Sequence, residues 1–174
     1  MALIKRKGFG QVEPNHLSAQ RTGQIYAQLP ADETMEILEN GQYVKYDYAK
    51  GKVDLTGNGE WMLVFNEIKL YDEREQMYKD YAMKKTDFVE EVMVPRVFKT
   101  NVGDIYTTNC IKTANTSNTA EVEGEDLKVG DFLNVDTATG YLKKGTNSGE
   151  MVWEVSKVYT MADGQPAVKI VRIK

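Results

Sequence analysis

The chain has 174 residues, of which 41% are apolar and 28% charged, and its formal net charge is −4. This is enough apolar content for one or two small domains with a modest core, and it excludes a disordered chain. The mild acidity lacks the broad basic field that nucleic-acid binding normally requires, so we expect no specific nucleic-acid partner. No apolar run approaches the roughly 20 residues of a membrane helix, and MALIKRKGFG has no signal-peptide core, so we expect a cytoplasmically made protein without membrane contact.

The first 23 residues form a polar segment without a sustained hydrophobic period. The stretch KRKGFGQVEPNHLSAQRTG combines glycine, proline and amides, and its basic cluster is Lys5, Arg6 and Lys7. A segment of this kind is either a loose tail or an arm that becomes ordered on another surface. We therefore predict a separate N-terminal arm over residues 1–23.

Residues 24–92 are predicted to form a layer that contains a β-hairpin and a helix. QYVKYDYAKGKVDL alternates like a half-buried strand, TGNG marks a tight turn, and WMLVFNEIKLY begins as a strand covered on both faces. These signals favour a hairpin over 42–70. Over 72–88, DEREQMYKDYAMKKTDF places apolar residues at helical spacing, so we expect one helix there, with a long extended arm as the alternative.

Residues 93–174 are predicted to form a C-terminal β unit. Short β-forming segments such as VPRVFKT, DIYTTNCIK, DFLNVD and GYLKK alternate with turn signals, and the segments 152–160 and 166–173 fit a hairpin through ADG. The fold class that follows is mainly β, a small β-barrel or sandwich with one helix or extended arm and a polar N-terminal arm. The boundary at residue 92 stays open, because the two β parts would also fit into one shared sheet.

Few residues in the sequence suit catalysis or cofactor binding. The only histidine is His16, in the polar segment, and the only cysteine is Cys110, in a strand pattern that favours a buried thiol over a Cys–His dyad. These two residues cannot supply the four ligands of a zinc site. No phosphate-binding glycine motif is present. We therefore expect a non-enzymatic protein without cofactor or metal.

Two further groups of residues allow other interpretations. An acidic run has no EF-hand spacing, so a solvated loop is favoured over a calcium site. Its residues are Glu121, Glu123, Glu125, Asp126 and Asp131. Trp61 and Trp153 are able to stack on sugars if they are exposed, but each lies in an apolar strand pattern that is typical of a core.

The assembled features resemble small virion proteins of tailed bacteriophages, in particular the auxiliary head proteins that decorate or cement capsids. The resemblance rests on the polar opening MALIKRKGFG, the hairpin with WMLVFNEIKLYDER, the stretch VPRVFKTNVGDIYTTN, and LKVGDFLNVDTATGYLKKG before a terminal hairpin. Leu-x-x-Gly-Asp turns that enter small β-barrels are frequent in phage head proteins. The resemblance implies a virion structural protein, made in the host cytoplasm, that binds the outer capsid surface and stabilises contacts between major capsid protein subunits.

The same resemblance implies where contact takes place and what the alternatives are. The implied contact set comprises the long loops and Lys5, Arg6, Lys7, Phe9 and His16 in the arm. Self-association on the capsid lattice is a further implication. Deleting residues 2–20 is then expected to leave a folded protein that no longer binds. The alternatives are a tail tube subunit, a head–tail connector or a major capsid protein, and, from another functional class, a carbohydrate-binding or hydrolytic β-domain.

Overall fold

The computed structural model describes residues 2–6, 8–16, 29–66, 81–112 and 122–174, which form antiparallel β-sheets. The strands are β1 Ala2–Arg6, β2 Val12–His16, β3 Ile37–Glu39, β4 Tyr43–Asp47, β5 Lys52–Asp54, β6 Met62–Val64, β7 Ala82–Lys84, β8 Val97–Phe98, β9 Ile105–Thr108, β10 Val122–Leu127, β11 Phe132–Val135, β12 Leu142–Gly145, β13 Val152–Thr160 and β14 Pro166–Arg172. Two short 3-10 helices cover Lys85–Asp87 and Val89–Glu91. The predicted mainly β fold is confirmed as a sandwich-like arrangement, and in the described ranges no sheet closes into a barrel.

The largest sheet has six strands in the order β12-β11-β13-β14-β9-β2. Its strands alternate apolar and polar residues, so that one face turns into a core, as Leu133 and Val135 of β11 show. The predicted terminal hairpin is confirmed, because β13 and β14 pair along most of their length, with a bulge between Val155 and Lys157. The longest strands thus lie in the middle of the sheet.

A four-stranded sheet, β5-β4-β6-β8, lies between two cores. Successive side chains of a strand point to opposite faces, and accordingly Tyr43 packs in the first core while Val44 packs in the second. Leu63 and Met62 divide in the same way, which confirms that this strand is covered on both sides. The single hairpin expected over 42–70 is instead a group of three strands with β4 in the middle, because β4 pairs with β5 on one side and β6 on the other. Residues 67–70 lie outside the described ranges.

The first core combines side chains from both parts of the predicted division at residue 92. Tyr43 and Leu63 come from the earlier part, and Tyr106, Trp153 and Ile170 from the later one, and all five are completely buried. Strand β8 of the later part also pairs with β6 of the earlier part. Burying each large apolar side chain contributes roughly 1.5–3 kcal/mol, so this shared core ties the two parts together.

The helix predicted over 72–88 is wrong for its described portion. Residues 72–80 lie outside the described ranges, but 82–84 form strand β7, and a single 3-10 turn follows. Met83 lies opposite Leu38 of β3, and both side chains are buried in the second core. This tertiary pairing outweighs the helical spacing of the sequence. Among the described residues no helix is long and apolar enough to cross a membrane.

The N-terminal segment is built into the fold where the structure describes it. Strand β1 pairs with β10, and β2 forms an edge of the six-stranded sheet against β9. Val12 is buried in the first core, and the backbone N–H of Gln11 donates to Asn109 Oδ1 at 2.8 Å. A deletion of 2–20 removes these contacts, so we no longer expect it to leave the fold intact.

Candidate functional site

The basic part of the predicted contact set lies on a two-stranded ribbon. Lys5 and Arg6 belong to β1, in register with β10, whereas Lys7 lies outside the described ranges. The ribbon runs beside β14 of the large sheet. Contact between these basic residues and a partner stays a prediction.

The other two residues of that set lie further along the chain. His16 ends strand β2 and stands in register with Ile105 of β9. Phe9 lies in the connection between β1 and β2, and Lys84 Nζ lies 5.2 Å from the centre of its ring. The predicted contact residues are therefore distributed over two sheets and the link between them.

Cys110 has the structural role that its strand pattern indicates. Its side chain is completely buried, and glycines pack directly against it. A Cβ atom on Gly10 would lie 2.8 Å from its Sγ atom, and one on Gly41 would lie 2.6 Å from its Cβ atom. The thiol thus fills a tight space in the interior, where a solvent-borne substrate has no access.

The acidic run expected to be a solvated loop is partly a strand. Residues 123, 125 and 126 belong to β10, and Glu121 lies outside the described ranges. Asp131 pairs with Lys144 Nζ at 2.9 Å, and backbone N–H and ammonium donors hold its carboxylate. Across the part of the chain that the structure describes, no three His, Cys, Asp or Glu side chains are grouped to hold a metal ion.

Both tryptophans belong to the first core, as their strand patterns predict. Trp153 is completely buried and packs edge-on against Tyr106, with ring centres 5.0 Å apart. Trp61 is 4% exposed, and Lys45 Nζ lies 4.8 Å from its ring centre. The carbohydrate-binding alternative therefore loses the exposed aromatic residues on which it depends.

A shallow groove of about 310 Å³ lies beside Trp61. Lys45 Nζ is 3.1 Å from Glu150 Oε2 across it, and the Arg172 guanidinium donates to the backbone carbonyl of Thr100. The charged groups of the groove thus already have partners within the protein. Its apolar lining residues Trp61 and Met151 are buried, so the groove offers less apolar surface to a partner than the surface described next.

An exposed loop that packs on the second core through Phe88 and Met93 carries three valines. Val89 is 91% exposed, Val92 43% and Val94 41%. Met93 points the other way into the second core, and Phe88 packs against the same core. Because Met93 is buried between them, Val92 and Val94 face outward together from an extended stretch.

Hydrogen bonds and backbone geometry fix the shape of this loop. Glu91 N–H donates to the carbonyl of Phe88 at 3.1 Å, and Ala31 N–H donates to that of Met93 at 2.8 Å. Glu90 and Glu91 both have positive φ, 63° and 56°. This conformation costs a non-glycine residue roughly 1–2 kcal/mol, and such strain concentrates at functional sites.

Glu90 and Glu91 lie between Val89 and Val92 in the chain, and Lys85 connects Glu91 to Glu36. Its Nζ atom lies 3.7 Å from both Glu36 Oε1 and Glu91 Oε2, and it donates to the backbone carbonyl of Glu33 at 3.1 Å. The Glu36 and Glu91 side chains are 73% and 65% exposed, whereas Lys85 is only 19% exposed. We call this surface the acidic–valine face. Its residues are Glu36, Val89, Glu90, Glu91, Val92 and Val94.

Sequence reasoning missed the acidic–valine face. The only signal is FVEEVMVP, in which valines alternate with acids and Met93. The same alternation is typical of a half-buried strand, and no sequence pattern shows which of its apolar residues are left uncovered. The positive φ of Glu90 and Glu91 is not predictable from the sequence either, because that conformation is typical of glycine or asparagine and not of glutamate.

No family model, curated protein or solved structure matches this chain.

Proposed function

We propose that this protein is a non-enzymatic virion structural protein that binds the outer surface of a phage capsid and stabilises contacts between major capsid protein subunits. The observation that carries the protein-binding part is the acidic–valine face, three exposed valines held in a fixed loop on a β scaffold. Apolar patches rimmed by polar groups mark protein-binding surfaces. The choice of a capsid as the partner comes from the resemblance to phage auxiliary head proteins.

The fixed loop suits a protein that has to bind many identical positions. Ordering a flexible loop on binding costs free energy, and a loop already held by Phe88 and Met93 avoids most of that cost. A protein that binds the assembled shell but not its separated subunits stabilises the shell by linkage. Contacts between neighbouring copies on the lattice further strengthen weak individual binding.

Other virion components remain alternative proposals. Tail tube subunits also combine β-sandwiches with one helix and long arms, and assembly into rings or tubes without a shell favours a tail tube subunit or a head–tail connector. The buried positions of Trp61 and Trp153 argue against the carbohydrate-binding alternative.

The test is co-sedimentation of the purified protein with expanded capsids that lack it. We expect saturable binding at a fixed ratio to capsid subunits, and shells that withstand higher temperature when loaded. Failure to bind, together with self-assembly into rings or tubes, replaces the proposal with a tail or connector role. Failure to bind without any assembly refutes a virion role.

A further inference from the structure

We propose that the acidic–valine face binds a positively charged protein surface with a shallow apolar depression that receives the valines. The inference rests on the proposed function, because it describes the chemistry of the same contact. It goes further by assigning the contact to six residues and by fixing the charge of the partner.

The charge of the partner follows from the exposed carboxylates of the acidic–valine face. Glu36, Glu90 and Glu91 stand at the surface, whereas Lys85, the cation that pairs with Glu36 and Glu91, is mostly covered. Lys84, the adjacent cation, is directed over the ring of Phe9. A partner that approaches the valines therefore meets negative charge, and complementary positive charge speeds association and fixes its orientation.

The same negative charge selects against two other classes of partner. Nucleic acid carries phosphates along its backbone, and the cytoplasmic leaflet of a membrane carries anionic lipids. Both are repelled by the exposed carboxylates of Glu90 and Glu91. A basic protein surface satisfies the charge and the valines together.

The shape of the depression on the partner follows from the geometry of the loop that carries the valines. Val92 and Val94 face outward from one side of an extended stretch, and Val89 lies one short turn before them. The valines have few rotamers to lose on binding, because β-branched side chains are stiff. The matching surface needs only a shallow cleft for three small side chains.

The first test uses two synthetic amphipathic peptides of equal length, one built from lysine and leucine and the other from glutamate and leucine. We expect the lysine peptide to shift the NMR signals of the Val89, Val92 and Val94 methyl groups, and to bind less tightly as ionic strength rises from about 0.05 to 0.5 M. The glutamate peptide is expected to leave these signals unchanged. Equal binding of both peptides, or shifts confined to another surface, overturns the inference.

Two variants with the same change in net charge test which carboxylates bind the lysine peptide. The double substitution Glu90→Gln and Glu91→Gln is expected to weaken lysine-peptide binding by about tenfold, a change of about 1.4 kcal/mol. Glu150→Lys reverses an exposed charge elsewhere on the surface and is expected to change the affinity for the lysine peptide little. The NMR fingerprint of each variant establishes that it is folded. Unchanged affinity in the folded double variant contradicts the inference.

Capsid binding by the same variants separates this inference from the proposed function. If shells bind the wild type and the double variant equally well, the capsid role stands and the acidic–valine face is not the contact. If shells bind neither protein while the lysine peptide binds as expected, the partner chemistry stands and the capsid role is refuted. If shells bind the wild type but not the double variant, the result supports both the capsid role and the acidic–valine face as the contact.

Discussion

The hydroxyl groups of Tyr43 and Tyr106 lie 2.7 Å apart in the first core and form a hydrogen bond between strands β4 and β9. Neither side chain is exposed to solvent, and the ring of Trp153 packs against both. The bond links two residues that are 63 positions apart in the chain. It therefore joins the four-stranded sheet to the six-stranded sheet within the first core.

Removing either hydroxyl of this pair alone is expected to lower the free energy of unfolding by more than half of the loss that follows when both are removed. Tyr43→Phe or Tyr106→Phe leaves the remaining hydroxyl buried without its partner, which lowers the free energy of unfolding by about 1–3 kcal/mol. The double variant has no unpaired hydroxyl, so its loss is expected to fall short of the sum of the single losses by about 1 kcal/mol. Denaturant unfolding of the four proteins measures this coupling, and additive losses contradict it.

The same pair makes stability fall in alkaline solution. Burial raises the pKa of both Tyr43 and Tyr106 above the ordinary value of 10.0. Above that pH the unfolded chain releases protons that the folded protein keeps. The contribution of the two tyrosines to stability is therefore fully present below about pH 10 and declines as the pH rises further. Unfolding measured from pH 9 to 11 is expected to show a shallower decline in the double phenylalanine variant. An identical decline in both proteins is the contrary result.

Asp136 is expected to stabilise the hairpin loop between β11 and β12 in a pH-dependent way. Burial alone would raise the pKa of its carboxyl, but hydrogen bonds from Lys112, Lys143 and Thr139 outweigh burial and lower the pKa to about 2. The carboxylate thus contributes stability above about pH 4 that is lost as the pH falls toward 2.

Replacing this carboxylate tests its contribution. Asp136→Asn is expected to lower the free energy of unfolding by about 2 kcal/mol at pH 7 and by much less near pH 2. Asp87→Asn, on an exposed 3-10 turn, is the control and is expected to change little. Unfolding curves across the acid range decide the matter. A loss at pH 7 that persists undiminished at pH 2 argues against the charge-based explanation.

Gly140 closes the same loop against β4 and tolerates no side chain. Its φ is 75°, its carbonyl accepts the N–H of Tyr43 at 2.7 Å, and a Cβ atom would lie 2.3 Å from the Tyr43 carbonyl oxygen. Gly164 has a similar φ of 83° but open space around it. Gly164→Ala is expected to cost about 1 kcal/mol from backbone strain alone, and Gly140→Ala about 1–3 kcal/mol more from the clash. Equal losses in thermal unfolding contradict this difference.

The sequence predicts the fold best where one physical signal dominates. In the terminal hairpin, alternation in β13 and β14 and the ADG turn agree, and the structure has the strands where they are expected. At Met83 the local helical spacing conflicts with pairing to Leu38, and distant pairing of this kind leaves no trace in nearby residues. The sequence also predicts a separate N-terminal arm, because a short polar edge strand has too few apolar residues to show a period.

The proposed contact surface is less predictable than the fold. The sequence draws attention to Lys5, Arg6 and Lys7, because a basic cluster is conspicuous in an acidic chain. Exposure of Val89 depends on the packing of Phe88 and Met93 against the second core, which only the packed structure shows. Valine alternation by itself indicates burial, so the pattern points away from the role that we propose.

Hydrogen exchange on bound and free protein tests most directly whether the acidic–valine face is the contact with the capsid. We predict that, on loaded expanded shells, backbone amides of residues 88–94 exchange more slowly than in the free protein. The turns around Val102 and Val129, which expose single valines elsewhere, serve as internal controls and are expected to exchange unchanged. Protection of other segments with residues 88–94 unaffected would contradict the account.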